Sequence, residues 1–220
     1  MEMTHTLLTR RAALASTAIA AATVTLPLPA LAQAPSPAGS VDMGRLLAEG
    51  PLEEQVKGAA DAPITVVEYA SMTCGHCANF HTDTWPTIKR DYVDTGKVRF
   101  IIREFPFDPR ARAAFMLARC APGGKYFEMV DVLFKQQGSW ARVPDARPPL
   151  QNLAKLAGFT QESFEACLTN QKLLDDINAV QERGAAEFGV TATPTFFING
   201  KKYSGALTVE QMSAIFETLL

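Results

Sequence analysis

The chain alternates between short β-branched runs and longer helical patterns. Ala62-Pro63 introduces Ile64-Thr65-Val66-Val67-Glu68-Tyr69, a run with the length of a buried strand. From Ala78 the pattern turns helical with Pro86 inside it, which predicts a kink near Trp85. Residues 97–104 form a second β-rich run. Strand, helix and strand in this order make a βαβ unit, whose crossover implies parallel pairing. Residues 109–187 then read as helical almost throughout, with breaks at Pro122-Gly123-Gly124, in the proline-rich stretch 144–149 and at Gly158. Strand character returns at Thr195-Phe196-Phe197-Ile198. Asn199-Gly200 is the favoured two-residue turn of an antiparallel hairpin leading into Lys201-Lys202-Tyr203. Thr208 and Gln211 predict a capping box for a last helix with Met212, Ile215, Phe216 and Leu219 on one face. The order is β-α-β, helices, then β-β-α, an α/β fold with a helical insertion near 108–187.

The N-terminus carries a different pattern. Arg10 and Arg11 precede a stretch from residue 12 to residue 41 without any charged side chain. Its apolar part is broken by Pro27 and Pro29 and ends in Ala30-Leu31-Ala32, a small-x-small cleavage site. Residues 1–32 therefore read as an export signal cut after Ala32. An uncleaved anchor is the alternative, disfavoured by the two prolines and weak hydrophobicity. The arginine pair fits a twin-arginine signal loosely, so either the Sec or the twin-arginine route is compatible. Residues 33–62 form an N-terminal extension, with 33–41 a disordered lead and 43–56 an amphipathic stretch of helical character. The main domain is placed at 63–220.

With 220 residues, 47% of them apolar, the chain can build a core. Its 21 basic and 23 acidic residues leave a net charge of -2, which is not the footprint of a nucleic-acid binder. Export changes how the four cysteines read, because disulfides persist outside the cytosol.

Cys74-Gly75-His76-Cys77 stands between the first strand and its helix, which puts Cys74 at a helix N-terminus. Unpaired amides and the helix dipole stabilise an anion there, and His76 adds a donor or a positive charge. Both effects lower a thiol pKa, so Cys74 reads as the attacking sulfur. Cys77, one turn on, can close a disulfide with it and release a trapped mixed disulfide. Cys74, Cys77 and His81 also have a C-x2-C-x3-H spacing that could supply three zinc ligands, but no second cluster with ligand spacing accompanies it. His81 otherwise reads as a surface or groove residue. A purely structural bridge would close too small a loop to stabilise much. Redox chemistry is preferred, with no metal and no cofactor beyond the Cys74-Cys77 disulfide.

Ala113, Met116, Leu117 and Cys120 share one helix face, and Phe164, Cys167 and Leu168 another, so both sulfurs face inward. Two buried free thiols remain an alternative; in an oxidising compartment a Cys120-Cys167 bridge across the insertion is preferred.

Strand, Cys-x-His-Cys, helix, helical insertion, Thr193-Pro194, hairpin and closing helix together resemble the DsbA-type thiol-disulfide oxidoreductases of the thioredoxin fold. The stretch Val66-Val67-Glu68-Tyr69-Ala70-Ser71-Met72-Thr73-Cys74 is especially similar to that family's first strand and active-site entry. The resemblance implies Cys74 as exposed nucleophile, Cys77 as resolving cysteine, His76 as the histidine that stabilises the thiolate, and Glu68 as a buried acid assisting proton transfer. A strand-end carboxylate facing solvent is the plainer reading of Glu68. The resemblance further implies that Pro194 is a cis-proline and that Thr193 presents its backbone to an extended substrate peptide; an ordinary trans proline is the alternative. Two positions depart from the best-known periplasmic oxidant: Gly75 stands in place of proline and Thr193 in place of valine. Thr193 instead resembles the periplasmic isomerases, but residues 33–62 are too short for their dimerisation domain. The implied function is donation of the Cys74-Cys77 disulfide to unfolded exported proteins in the periplasm, with a membrane-bound partner restoring it. The alternatives are a disulfide isomerase or reductase and, from another class, a zinc- or peptide-binding module.

Overall fold

The computed structural model describes Glu2 and residues 34–220, so the export signal at 1–32 lies outside the described residues. Six strands, β1 (Gly39–Ser40), β2 (Gln55–Lys57), β3 (Ile64–Ala70), β4 (Val98–Glu104), β5 (Thr195–Ile198) and β6 (Lys201–Ser204), form one mixed sheet in the order β1-β6-β5-β3-β4-β2. β3 and β4 are parallel, with Val66 opposite Phe100 and Glu68 opposite Ile102. The other pairings are antiparallel. Asn199 and Gly200 both take positive φ, 44° and 83°, as the tight β5-β6 turn requires.

The central strand is buried on both sides, and its period of two divides the core. Val66 and Ala70 face Phe100, Ile102, Phe196 and Phe80, a layer closed by Met212 and Phe216 of α10 (Val209–Glu217). Val67 and Tyr69 face Ile101, Phe105, Phe197 and Phe188 on the opposite side. Each large apolar side chain so buried contributes about 1.5–3 kcal/mol. Thr208 and Gln211 form the capping box that starts α10.

The helix entered at Gly75 runs to Val93 as α2 (Gly75–Asn79), a π-helical segment (Phe80–Thr84), α3 (Trp85–Ile88) and a second π-helical segment (Lys89–Val93). Pro86 stands in the first turn of α3, and the Trp85 N–H reaches back five residues to the Phe80 carbonyl. The kink thus takes the form of a widened turn that relieves the clash of a proline ring with the preceding turn. The insertion comprises α4 (Pro109–Arg119), a 3-10 turn (Pro122–Gly124), α5 (Tyr126–Lys135), α6 (Gln137–Trp140), α7 (Arg147–Leu156), α8 (Gln161–Leu168) and α9 (Gln171–Phe188). Cys120 and Cys167 are joined by a disulfide, with Cα atoms 6.1 Å apart, tying the end of α4 to α8.

The N-terminal extension requires correction. Within 33–41, Gly39 and Ser40 pair with Lys202 and Lys201, so this stretch is not simply a disordered lead. Within 43–56, only α1 (Met43–Leu46) is helical, and Gln55 pairs with Ile102 at the far edge. Both edge strands belong to the compact unit that includes the rest of the sheet. Arg103, buried on β4, holds the extension in place: it donates to Glu54 at 2.6 Å, to the Leu46 carbonyl at 2.7 Å and to the Tyr69 hydroxyl at 2.9 Å. A buried guanidinium needs such partners, and the extension supplies most of them.

Candidate active site

β3 delivers the chain to Ser71, Met72 and Thr73, and Cys74 is the N-cap of α2 with extended backbone angles. The Cys74 N–H donates to the Ser71 carbonyl at 3.0 Å. Two residues of the insertion hold this turn. Gln137 Nε2 donates to the carbonyls of Met72 at 2.8 Å and Cys74 at 3.0 Å. Thr73 donates its hydroxyl to Asp108, whose other oxygen caps α4 through the N–H groups of Arg110 and Ala111. The helical insertion therefore fixes the reactive turn directly.

The two sulfurs, both free thiols here, occupy opposite environments. Cys74 is half-buried and its pKa is lowered to about 5, first by the Cys77 thiol donating to it, against partial desolvation, and then by the backbone N–H groups of Cys77 and His76. Cys77 is fully buried, and burial pushes its thiol well above the ordinary value. The hydrogen bond to Cys74 and the charge of Glu68 add to that rise. One sulfur is thus held as an anion and the other as a thiol.

The peptide bond between Thr193 and Pro194 is cis. The Thr193 carbonyl accepts the Cys74 S–H at 3.3 Å, while the Thr193 hydroxyl is buried without a partner in this thiol form. Glu68 is fully buried, as the family resemblance implied, and is not the solvent-facing carboxylate of the alternative reading. It lies on the face of β3 shared by Val66 and Ala70, beneath α2. His76 is exposed, and its backbone N–H is among the groups that lower the Cys74 pKa.

His81 was expected at the surface or in a groove; it is not at the surface, being only 2% exposed, but it does line a groove. Its Nε2 lies 3.0 Å from Glu68 Oε2, and its ring stacks on Phe134 with centroids 4.3 Å apart. It therefore turns away from zinc-ligand geometry. Among the described residues, no group of three or more His, Cys, Asp or Glu side chains is placed to hold a metal ion. The signal for its burial was present: Cys77, His81 and Trp85 repeat every four residues along the inward face of the helix. Gln137 and Asp108 carried no comparable signal, because their roles depend on how the insertion folds back.

The Thioredoxin family pattern matches residues 52–218. A Rickettsia bellii protein named for protein-disulfide oxidoreductase activity is 34% identical over 148 residues, 67% of this chain but 57% of that protein's length. The chain thus spans less than two thirds of the curated relatives it matches first. The crystal structure of Wolbachia pipientis alpha-DsbA1 superposes with a TM-score of 0.74 at 33% identity, covering 80% of this chain and 94% of that one. Oxidised BdbD of Bacillus subtilis, 23% identical with a TM-score of 0.66, covers 75% of this chain and 91% of its own and shares the fold. With its strand order, its Cys-Gly-His-Cys turn and these relatives, the chain belongs to the thioredoxin family and, within it, to the DsbA-type proteins.

Proposed function

We propose that the protein is a thiol-disulfide oxidoreductase that donates the Cys74-Cys77 disulfide to unfolded proteins. The observation that carries this reading is the geometry of the pair: Cys74 is half-buried at the N-cap of α2, 3.3 Å from the Thr193 carbonyl before the cis Pro194, and Cys77 is fully buried one turn on. A substrate thiolate attacks the Cys74 sulfur and breaks the Cys74-Cys77 bond; Cys77 departs and takes up a proton. A second substrate thiolate then attacks the mixed disulfide, the substrate leaves with its new bond, and Cys74 departs as a stable thiolate. A low leaving-group pKa favours this last step, and stabilising the reduced form makes the disulfide a strong oxidant.

In this reading Cys74 is the nucleophile, Cys77 the resolving thiol, and Glu68 the buried group that exchanges a proton with Cys77. His76 supports the thiolate. Thr193 and Pro194 offer an extended backbone against which a substrate peptide lies, and the Cys120-Cys167 bridge is structural. The pair serves as its own redox centre, needing no metal and no added cofactor. Export through residues 1–32 places the protein in the periplasm, where a membrane-bound partner restores the disulfide; among the described residues no helix is long and apolar enough to cross a membrane.

Oxidation of a reduced dithiol peptide, run beside reactivation of scrambled ribonuclease, tests the function. Fast peptide oxidation with poor reactivation is expected. Efficient reactivation by a protein kept reduced in cells would replace the oxidase by the isomerase reading that Thr193 suggests.

A further inference from the structure

Cys77 is completely buried, so a proton it gains or loses during exchange needs a route to water. Glu68 is also completely buried, and its Oε1 has no hydrogen-bond partner. Its Oε2 meets His81 Nε2 at 3.0 Å. The other imidazole nitrogen, Nδ1, is buried and likewise unpartnered. His81 lines a surface groove whose walls include Trp85, Pro86, Asp131 and Lys135. Asp131, on α5, is half-buried and feels the charge of His81, and its carboxyl is held above the ordinary carboxylate range by desolvation. The charged groups facing the groove are Lys89, Arg90 and Asp94 from the helix carrying His81, and Asp131 and Lys135 from α5. On the inner side, Cys77 and Tyr126 are the groups that feel Glu68.

We propose that Glu68, His81 and Asp131 form a proton relay between Cys77 and the groove on the far side of the helix, away from the substrate face. The inference rests on the thiol-disulfide reading above. An unpaired buried nitrogen carries a desolvation cost, and a titratable ring that touches both a buried carboxylate and a groove is suited to passing a proton. During donation, the Cys74-Cys77 bond breaks as the substrate sulfur bonds to Cys74. The Cys77 thiolate then takes a proton from Glu68, and the Glu68-His81 pair regains one from the groove, whose lining includes both His81 and Asp131. During reoxidation, Cys77 loses its proton to Glu68 as its sulfur attacks the mixed disulfide on Cys74. The pair then releases one proton to the groove. His81 and Asp131 touch no reacting sulfur; they act through Glu68, and they let protons move while a bound polypeptide covers the Cys74 side.

Glutathione disulfide separates the steps. With the reduced protein, the Cys74 thiolate first forms a mixed disulfide with glutathione, which needs no proton from Cys77. Cys77 then resolves it, which does. Acid-quenched mass spectrometry follows both. His81→Phe preserves an aromatic ring against Phe134 and His81→Gln preserves a donor to Glu68, but neither side chain titrates. Both are expected to leave the first step unchanged and to slow the second at neutral pH on the order of a hundredfold. Resolution in both should climb steeply with pH where the wild type is flatter. In Asp131→Asn, a smaller slowing should be reversed by increasing concentrations of imidazole buffer, to which the wild type is indifferent. Unchanged resolution in the His81 variants, parallel slowing of both steps, or an unaltered pH profile would overturn the relay. If His81→Phe does not fold, His81→Gln and Asp131→Asn decide. Failure of the wild type to form the mixed disulfide at Cys74 would instead overturn the thiol-disulfide reading itself.

Discussion

Cys74 and Cys77, three residues apart on one helical turn, shift each other's proton affinity in opposite directions: the Cys77 thiol is the first cause of the low Cys74 value of about 5, while Cys74 adds to burial in holding the proton on Cys77. Only one proton is thus lost from the reduced pair near neutral pH. Thiolate absorbance should show a single step centred near 5. Cys77→Ala removes the first cause and should move that step upward, toward the ordinary value of 9.0. A step that stays in place would show that the backbone N–H groups at the helix N-terminus suffice without Cys77.

The same depressed pKa links stability to pH in the reduced protein. In the unfolded chain Cys74 titrates near its ordinary value of 9.0, and in the folded protein near 5. Between these values the unfolded state binds more protons, so reduced-state stability rises with pH, is fully present above the unfolded value, and is lost as pH falls through about 5. The oxidised protein has no Cys74 thiol to titrate. Denaturant unfolding of both redox forms across this window should show the reduced form gaining on the oxidised form as pH rises; parallel curves would contradict the linkage.

The parts of this fold legible from the amino-acid order are those in which local chemistry is strong. Asn199-Gly200 dictates a hairpin turn, Thr208 and Gln211 a helix start, and the β-branched run at Ile64 a buried strand. Cys74 was legible because a cysteine pair at a strand-helix junction has few other uses. The edge strands β1 and β2 were not, since two or three residues cannot show alternation and their pairing depends on partner strands far away in the sequence. The burial of His81 is legible in the four-residue repeat Cys77, His81, Trp85, but its pairing with Glu68, thirteen residues away, is not, because it depends on how the helix packs on β3.

The Cys120-Cys167 bridge spans 47 residues of the insertion. In the chain-entropy account, closing a loop of that size stabilises by about 4 kcal/mol, and real bridges often give less. Replacing both cysteines by alanine should lower Tm, at about 2–4 °C for each kcal/mol lost in a domain of this size. The turn at Cys74 is held by Gln137 and Asp108, not by the bridge, so the Cys74 titration should be unchanged in the folded variant. Differential scanning calorimetry and the absorbance titration read the two effects separately; a displaced titration would mean that the bridge reaches the active-site turn.

Gly184 lies in α9 against the ring of Tyr69 on β3, and a Cβ at this position would stand 2.6 Å from Tyr69 Cε1 and 3.1 Å from Cδ1. The ring cannot easily yield, because its hydroxyl is bound to Arg103 at 2.9 Å and its faces meet Phe105 and Phe197 edge-on. Gly184→Ala raises helix propensity, an effect of about 1 kcal/mol in its favour. Overpacking against a fixed ring costs about 1–3 kcal/mol, so net destabilisation is expected. Tyr69→Leu alone should also destabilise, through lost aromatic packing and the loss of a partner for Arg103. In the double variant the smaller side chain leaves room for the new methyl, and its loss of stability should be less than the sum of the single losses. Urea unfolding of the four proteins measures this coupling, and strict additivity would show that α9 shifts away from the sheet rather than pressing on Tyr69.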